Sequence, residues 1–262
     1  ASVEAFWFDV VSPNLGSKLR HRSRSKTIVL DMDLALKFTQ IFSRVIDFRS
    51  RFTSTHSAGV ATTSRHLSRL SGFSEHDQQL MLLAGNLHDL GKLAVPRHIL
   101  EKPGKPTREE FDMIRQHPYH THRILKTLPG FSTVADWAGH HHERIDGKGY
   151  PFHVGAPELS LGARAMAVAD VYTALTEDRP YRDAMPVTKA LSILENMVEG
   201  GALDGDLVRV LEANIDDLDE ARRTAQIAAS EEFEKFLAAA SRDSRPDPIE
   251  SSPEDSAARA AV

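Results

Sequence analysis

From Leu30 onward the apolar residues of this chain recur at intervals of three and four, and no stretch alternates apolar with polar as a half-buried strand would. Leu34, Phe38, Ile41, Phe42, Val45 and Phe48 make one such stripe. A helix returns each side chain to the same face about every 3.6 residues, so this spacing gives helices with one oily face each. Such helices bury that face by packing on one another, and the expected fold class is all-α.

Local signals divide the pattern. A second helix starts near His56, carries Val60, Leu67 and Leu70 and stops at Gly72. Ser74-x-x-Asp77 resembles a capping box and opens a third through Leu80, Leu83 and Leu87, with Gly91 suited to its end. Pro96, Pro103, Gly104 and Pro106 mark a loop. Thr107-x-x-Glu110 opens a helix with Phe111, Ile114, Ile124 and Leu125, and another is expected from Ser132 to Glu143. Residues 144–160 are rich in Gly and Pro and read as a structured loop. Helices are then expected at 161–176, 187–199, 204–213 and 217–240, and the Pro- and Ser-bearing tail 241–262 reads as disordered. Residues 1–44 read as an N-terminal linker and helix, or as the edge of a missing domain. Its basic cluster Lys18, Arg20, Arg22, Arg24 and Lys26 is read as a solvated loop. The helix at 30–50 is expected to serve the core, with a homodimer contact as the alternative.

Composition removes several functions. The 262 residues carry a net charge of -5, which argues against sequence-independent binding to a DNA or RNA duplex. With no cysteine there is no disulfide, no thiolate metal site and no Cys nucleophile. No apolar run approaches the roughly 18 residues of a membrane helix, and Ala5–Val11 lacks the basic lead of a signal peptide. The expected compartment is the cytoplasm.

The chemistry concentrates in two segments. In His88-Asp89-Leu90-Gly91-Lys92, an imidazole and a carboxylate at a helix end can reach one metal centre, and Lys92 sets a cation beside it for an anionic phosphate. In His140-His141-His142-Glu143, neighbouring positions on a helix diverge by roughly 100°, which suits two adjacent metals better than one. Asp146-Gly147-Lys148-Gly149-Tyr150-Pro151 follows as a rigid loop. His56, His117 and Asp170 are further candidates. Taken alone, each histidine reads as an ordinary core or surface residue. Asp170 sits in the apolar run Met166–Val171, where a carboxylate needs a cation or several donors. Together these residues outline a nitrogen- and oxygen-rich site for Fe, Mn, Ni or Zn. Two such ions about 3.5–4 Å apart would activate a water and clamp a scissile phosphate.

HDLGK at 88–92 and HHERIDGKGYP at 141–151 resemble the two signature motifs of HD-GYP domains, a branch of the HD phosphohydrolases. The likeness extends from about residue 45 to 210 and includes ILEKPGKPTREEF (99–111) and AMAVADVYTALTEDRPYR (165–182). It implies an HD-type helical bundle with a long GYP loop. The catalytic domain would span 45–213, with 214–240 as a C-terminal helix. It implies metal ligation by His56, His88, Asp89, His117, His141, His142 and Asp170, with Asp89 bridging and with Asp89 and Lys92 catalytic. Lys92, Tyr150, Arg179 and Arg182 would contact the substrate. The implied activity is hydrolysis of cyclic di-GMP to pGpG and onward to GMP. Another cyclic dinucleotide or nucleotide substrate, or a non-catalytic cyclic di-GMP sensor, is the alternative. The implied partners are a sensor or receiver domain, or a diguanylate cyclase. Some members hold a third metal with a Glu four residues before the first His. Phe52 occupies that position here, so a two-metal site is expected.

Overall fold

A computed structural model describes residues 31–49, 55–178 and 183–243. The chain separates into two units, Ala1–Ala35 and Leu36–Val262. Of the first only residues 31–35 are described, and Asp31 there accepts a hydrogen bond from the Leu34 amide at 2.8 Å. The second unit holds all that follows. The tail beyond residue 243 lies outside the described residues, as do Phe52, Arg179 and Arg182.

The described residues are all helix and connection, with no strand, in keeping with the all-α expectation. The helices are α1 (Met32–Arg49), α2 (His56–Leu70), α3 (Glu75–Leu87), α4 (Arg97–Leu100), α5 (Arg108–Ile114), α6 (His117–Lys126) and α7 (Ser132–Gly139). There follow α8 (Leu161–Thr176), α9 (Val187–Glu199), α10 (Gly205–Ala213) and α11 (Ile215–Asp243). A short 3₁₀ turn covers Leu90–Ala94. No helix among the described residues is long and apolar enough to cross a membrane.

Helix α2 is the axis of the bundle, against which α3, α8 and α11 pack. Its inward positions are small (Ser57, Gly59, Ala61, Ser64, Ser68), so neighbours approach closely. A Cβ on Gly85 of α3 would come within 2.4 Å of the Ala61 Cα, so the two helices touch backbone to backbone there. The turn between them passes through Gly72 at φ +81, a left-handed conformation that glycine adopts without strain. An antiparallel pair with so short a connection returns the chain to its starting end, and the His56 and His88 rings lie 5.4 Å apart. Helix α8 is buried on nearly every side, and Ala165, Met166, Val168, Ala169 and Tyr172 form the centre of the core.

The two sequence-read caps are present. The Ser74 hydroxyl accepts from the Asp77 amide, and Thr107 with Glu110 forms the reciprocal capping box. Three expectations are corrected. The helix expected from Thr107 to Leu125 is two helices, α5 and α6, broken at Arg115–Gln116. Pro118 explains the break, since it has no amide hydrogen to give the Ile114 carbonyl four residues before it. The helix expected to reach Glu143 ends at Gly139, so His140–Glu143 form a turn. The stripe on α1 is not in the core. Phe38, Ile41, Phe42 and Val45 are about half exposed, while Thr39, Ser43, Ile46 and Asp47 are buried. An aliphatic 3–4 repeat cannot by itself say which face turns inward.

Candidate metal centre

Three of the expected ligands end helices in the same manner. His88, His117 and His141 each stand three residues beyond a backbone carbonyl in the last turn of a helix and donate to it through Nδ1. His88 donates to Gly85 at 2.8 Å, His117 to Ile114 at 2.8 Å and His141 to Ala138 at 2.6 Å. The final carbonyls of a helix lack intrahelical amide partners, and an imidazole N–H satisfies one of them. Because a carbonyl only accepts, the proton is fixed on Nδ1 and the lone pair on Nε2. Each ring thereby fulfils a structural need and leaves Nε2 as a nitrogen that could bind a metal. This also accounts for the early end of α7.

The candidate ligand atoms form three overlapping groups, each within 4.8 Å of one another: His56–His88–Asp170 and His117–His141–His142, with His88–Asp89–His141 linking those two. Asp89 stands between them. Its Oδ2 is 3.4 Å from His88 Nε2, and its Oδ1 is 3.2 Å from His117 Nε2. Asp170 also spans the two, with Oδ1 3.1 Å from His56 Nε2 and Oδ2 3.7 Å from His142 Nδ1. His117 Nε2 and His141 Nε2 are 3.2 Å apart. A direct hydrogen bond cannot join two lone pairs, whereas a shared cation would satisfy both. Six of the seven are buried, and His142 is partly exposed. Only nitrogen and oxygen are offered, the donor set of a divalent transition metal. The residues fit such ions.

Burial is the largest influence on every charge here, and neighbours decide its outcome. Burial works against the carboxylate of Asp89, but Lys92 and His88 outweigh it and hold the group well below the usual range. Asp170 is likewise held well below despite burial, chiefly by its hydrogen bond to His56. Burial and adjacent rings push His141 far down, and burial carries His142 to about 3. His56 goes the other way. Burial opposes its charge, yet Glu177 and Asp170 lift it to about 10. The site therefore holds two carboxylates with two rings kept neutral, an arrangement that attracts cations.

The cations and the loop stand at the rim. Lys92 Nζ donates to Asp89 Oδ2 at 2.6 Å. Gly91 lets the 3₁₀ turn lie on α6. Its amide donates to Thr121 Oγ1 at 2.8 Å, and the same hydroxyl donates to the His88 carbonyl at 2.9 Å. In the GYP loop, the Tyr150 ring lies 4.8 Å from that of His142, tilted by 36°, and the peptide bond from Tyr150 to Pro151 is cis. A Cβ on Gly149 would meet the Glu143 Cα at 2.4 Å. Glu143 fastens the loop by accepting from the Phe152 amide at 2.6 Å and the His153 amide at 3.2 Å. His122 pairs with Asp136 at 3.0 Å and is structural. The expected contacts Arg179 and Arg182 lie outside the described residues, as does Phe52, on which the two-metal count rests.

Sequence reasoning passed over four residues near the centre. Glu177 faces His56 Nδ1 at 3.0 Å. Arg115 lies over the Tyr150 ring at 4.5 Å. Asp47 is buried against Ser57, whose hydroxyl donates to it at 2.8 Å. Glu143 holds the loop. Arg115 and Glu143 carried a usable signal, since one lies two residues before His117 and the other directly follows His142.

Comparison with known proteins gives the same picture. The HD domain family matches residues 40–207. The chain is 37% identical over 185 residues to a 3'3'-cGAMP-specific phosphodiesterase of Vibrio cholerae, covering 71% of this chain and 43% of that protein. It is 44% identical over 141 residues to a cyclic di-GMP phosphodiesterase of Pseudomonas aeruginosa, covering 53% of this chain and 34% of that protein. The chain thus spans less than half the length of these relatives. Among solved structures, a cyclic GMP-AMP-specific phosphodiesterase of V. cholerae superposes with a TM-score of 0.50 at 30% identity, covering 81% of this chain and 48% of that one. An HDG"Y"P protein of Bdellovibrio bacteriovorus has the same fold, with a TM-score of 0.52 at 20% identity over 71% of this chain and 62% of that one. The chain belongs to the HD domain family, and the signature segments that build its buried histidine–aspartate centre put it in the HD-GYP branch.

Proposed function

We propose that the chain is a metal-dependent phosphodiesterase that opens cyclic di-GMP to pGpG, with GMP as a further product. The observation that carries this reading is Asp89, whose two oxygens face two separate histidine groups inside one buried centre. Two divalent ions, Fe or Mn with Ni and Zn as alternatives, would supply Lewis acidity to the phosphate and an acidified water. The chain's own share is positional. His56, His88 and Asp170 would hold one ion, and His117, His141 and His142 the other, with Asp89 between them. The Lys92 ammonium, already beside Asp89, offers charge where the phosphorane gains it. Tyr150 offers a flat face for a base, and Arg179 and Arg182 would meet phosphates and bases. A deoxygenated assay of cyclic dinucleotides with Mn²⁺ or Fe²⁺ tests the reading. The expected result is a linear dinucleotide product that Asp89→Ala abolishes. Unchanged turnover by that variant would sink it, and tight binding without turnover by metal-loaded wild type would favour a sensor.

A second substrate reading has its own support. The longest of the quoted alignments is to a protein named for 3'3'-cGAMP, as is the solved relative at 30% identity. Both nucleotides belong in the assay, and the higher kcat/KM decides.

The same reading carries a cytoplasmic location and a sensor domain, receiver domain or diguanylate cyclase as partner. A homodimer through the exposed face of α1 completes it, and light scattering of Phe38→Glu against wild type tests that contact.

A further inference from the structure

We infer that Glu177 is the positioning residue for His56, and that Gln226 of the C-terminal helix α11 sets Glu177 in place; the inference rests on the two-metal reading. His56 is the exception among the ligands. The other three fixed rings hold Nδ1 against a carbonyl at a helix C-terminus. His56 is the first residue of α2, and the free backbone groups at a helix N-terminus are donors. The role of acceptor passes to a side chain, and the Glu177 carboxylate lies 3.0 Å from Nδ1. That contact keeps the proton on Nδ1 and turns Nε2 toward Asp170 at 3.1 Å, into the site. A carboxylate behind a ligating histidine fixes its tautomer and ring plane and raises its basicity.

Glu177 sits just past the end of α8, where chain direction alone does not aim it. Gln226 does. Its Nε2 donates to Glu177 at 3.3 Å and lies 3.4 Å from the Thr55 carbonyl, at the start of the His56 helix. Its Oε1 accepts from Arg222, which is buried against Asp219, itself the acceptor for Tyr172 at 2.8 Å. A separate observation supports the same path. A Cβ on Gly59 would stand 2.8 Å from Gln226 Nε2, so the glycine clears the space through which Gln226 reaches Glu177. Helix α11 is thus part of the metal centre, through a buried polar chain that ends on a ligand.

The test measures metal affinity of the whole chain by chelator competition, with melting of the metal-free protein and the visible spectrum of the Co²⁺ form as companions. Glu177→Ala is expected to weaken affinity about 10- to 100-fold and alter the Co²⁺ spectrum. Glu177→Gln, which keeps an acceptor for Nδ1–H, should recover most of that loss. Gln226→Leu should weaken affinity about 3- to 10-fold, a part of the same effect. Wild-type affinity in both Glu177 variants overturns the role of Glu177, and wild-type affinity in Gln226→Leu overturns that of α11. Should the alanine variant fail to fold, Glu177→Met, which fills the same space without an acceptor for Nδ1–H, takes its place beside Gln226→Leu, and wild-type affinity there overturns the role of Glu177 equally. A wild-type chain that takes up no metal would instead overturn the two-metal reading itself.

Discussion

Asp89 Oδ1 lies 3.2 Å from His117 Nε2, although the two residues belong to different helical segments and the other Asp89 oxygen faces His88. A single carboxylate thus joins both halves of the centre. Asp89→Asn keeps the shape but exchanges one oxygen for an amide that cannot ligate. We expect metal content to fall from two ions per chain to one or fewer, and turnover to fall about a thousandfold, the loss of several kcal/mol of charge stabilisation. Elemental analysis beside a product assay checks both, and full occupancy in the variant would rule out a bridging role.

Asp47 makes the stability of the metal-free chain depend on pH. Burial, the largest influence, raises its carboxyl from 3.8 to about 7, against the lowering pull of the Ser57 hydroxyl and of His56, with Asp89 adding to the rise. Between those values the folded chain keeps a proton that the unfolded chain has lost. Stability from this group is therefore full below about pH 4 and declines as pH rises toward 7. Urea midpoints of wild type relative to Asp47→Asn should fall between pH 5 and 7.5 in chelator-treated protein. A flat difference would refute the assignment.

Gly91 is fixed by backbone contact. A Cβ there would stand 1.9 Å from the His117 carbonyl oxygen and 2.9 Å from the Thr121 amide, and neither can swing aside as a flexible side chain would. Gly91→Ala must push α6 from the 3₁₀ turn and carry His117 with it. We expect a cost of about 2–3 kcal/mol in stability, together with weakened metal binding. Calorimetry and metal titration check this, and a variant as stable as wild type would show that the turn can yield.

How much of this was readable beforehand depended on whether the physics was local. Caps at Ser74 and Thr107 were legible, because the residues that satisfy a helix start lie three positions apart. His88, His141 and His142 were legible because they sit in dense polar motifs, whereas His56 and His117 were legible only through the family resemblance, and the structure brings all seven expected ligand residues to one place. The break before α6 was written in Pro118 and went unread. The end of α7 could not be read, because it depends on a ring taking a carbonyl that an amide would otherwise hold. Glu177 stands beside Asp178, and nothing in the string TEDRPYR says which acid turns inward. Gln226 lies 49 positions further on, beyond any local pattern.

Arg115 supplies the last expectation. Its guanidinium lies 4.5 Å over the Tyr150 ring, and that ring leans against His142, so a cation and an aromatic ring adjoin one expected ligand at the rim. Such a pair suits the non-scissile phosphate and base of a dinucleotide, away from the reacting bond. Arg115→Ala should then raise KM about tenfold and change kcat little, because a contact made equally in ground and transition states costs binding alone. Arg115→Lys should recover only part, since an ammonium lacks the planar fork. Steady-state kinetics on the cyclic dinucleotide measures the split. A drop in kcat at unchanged KM would put Arg115 with the reacting phosphate instead.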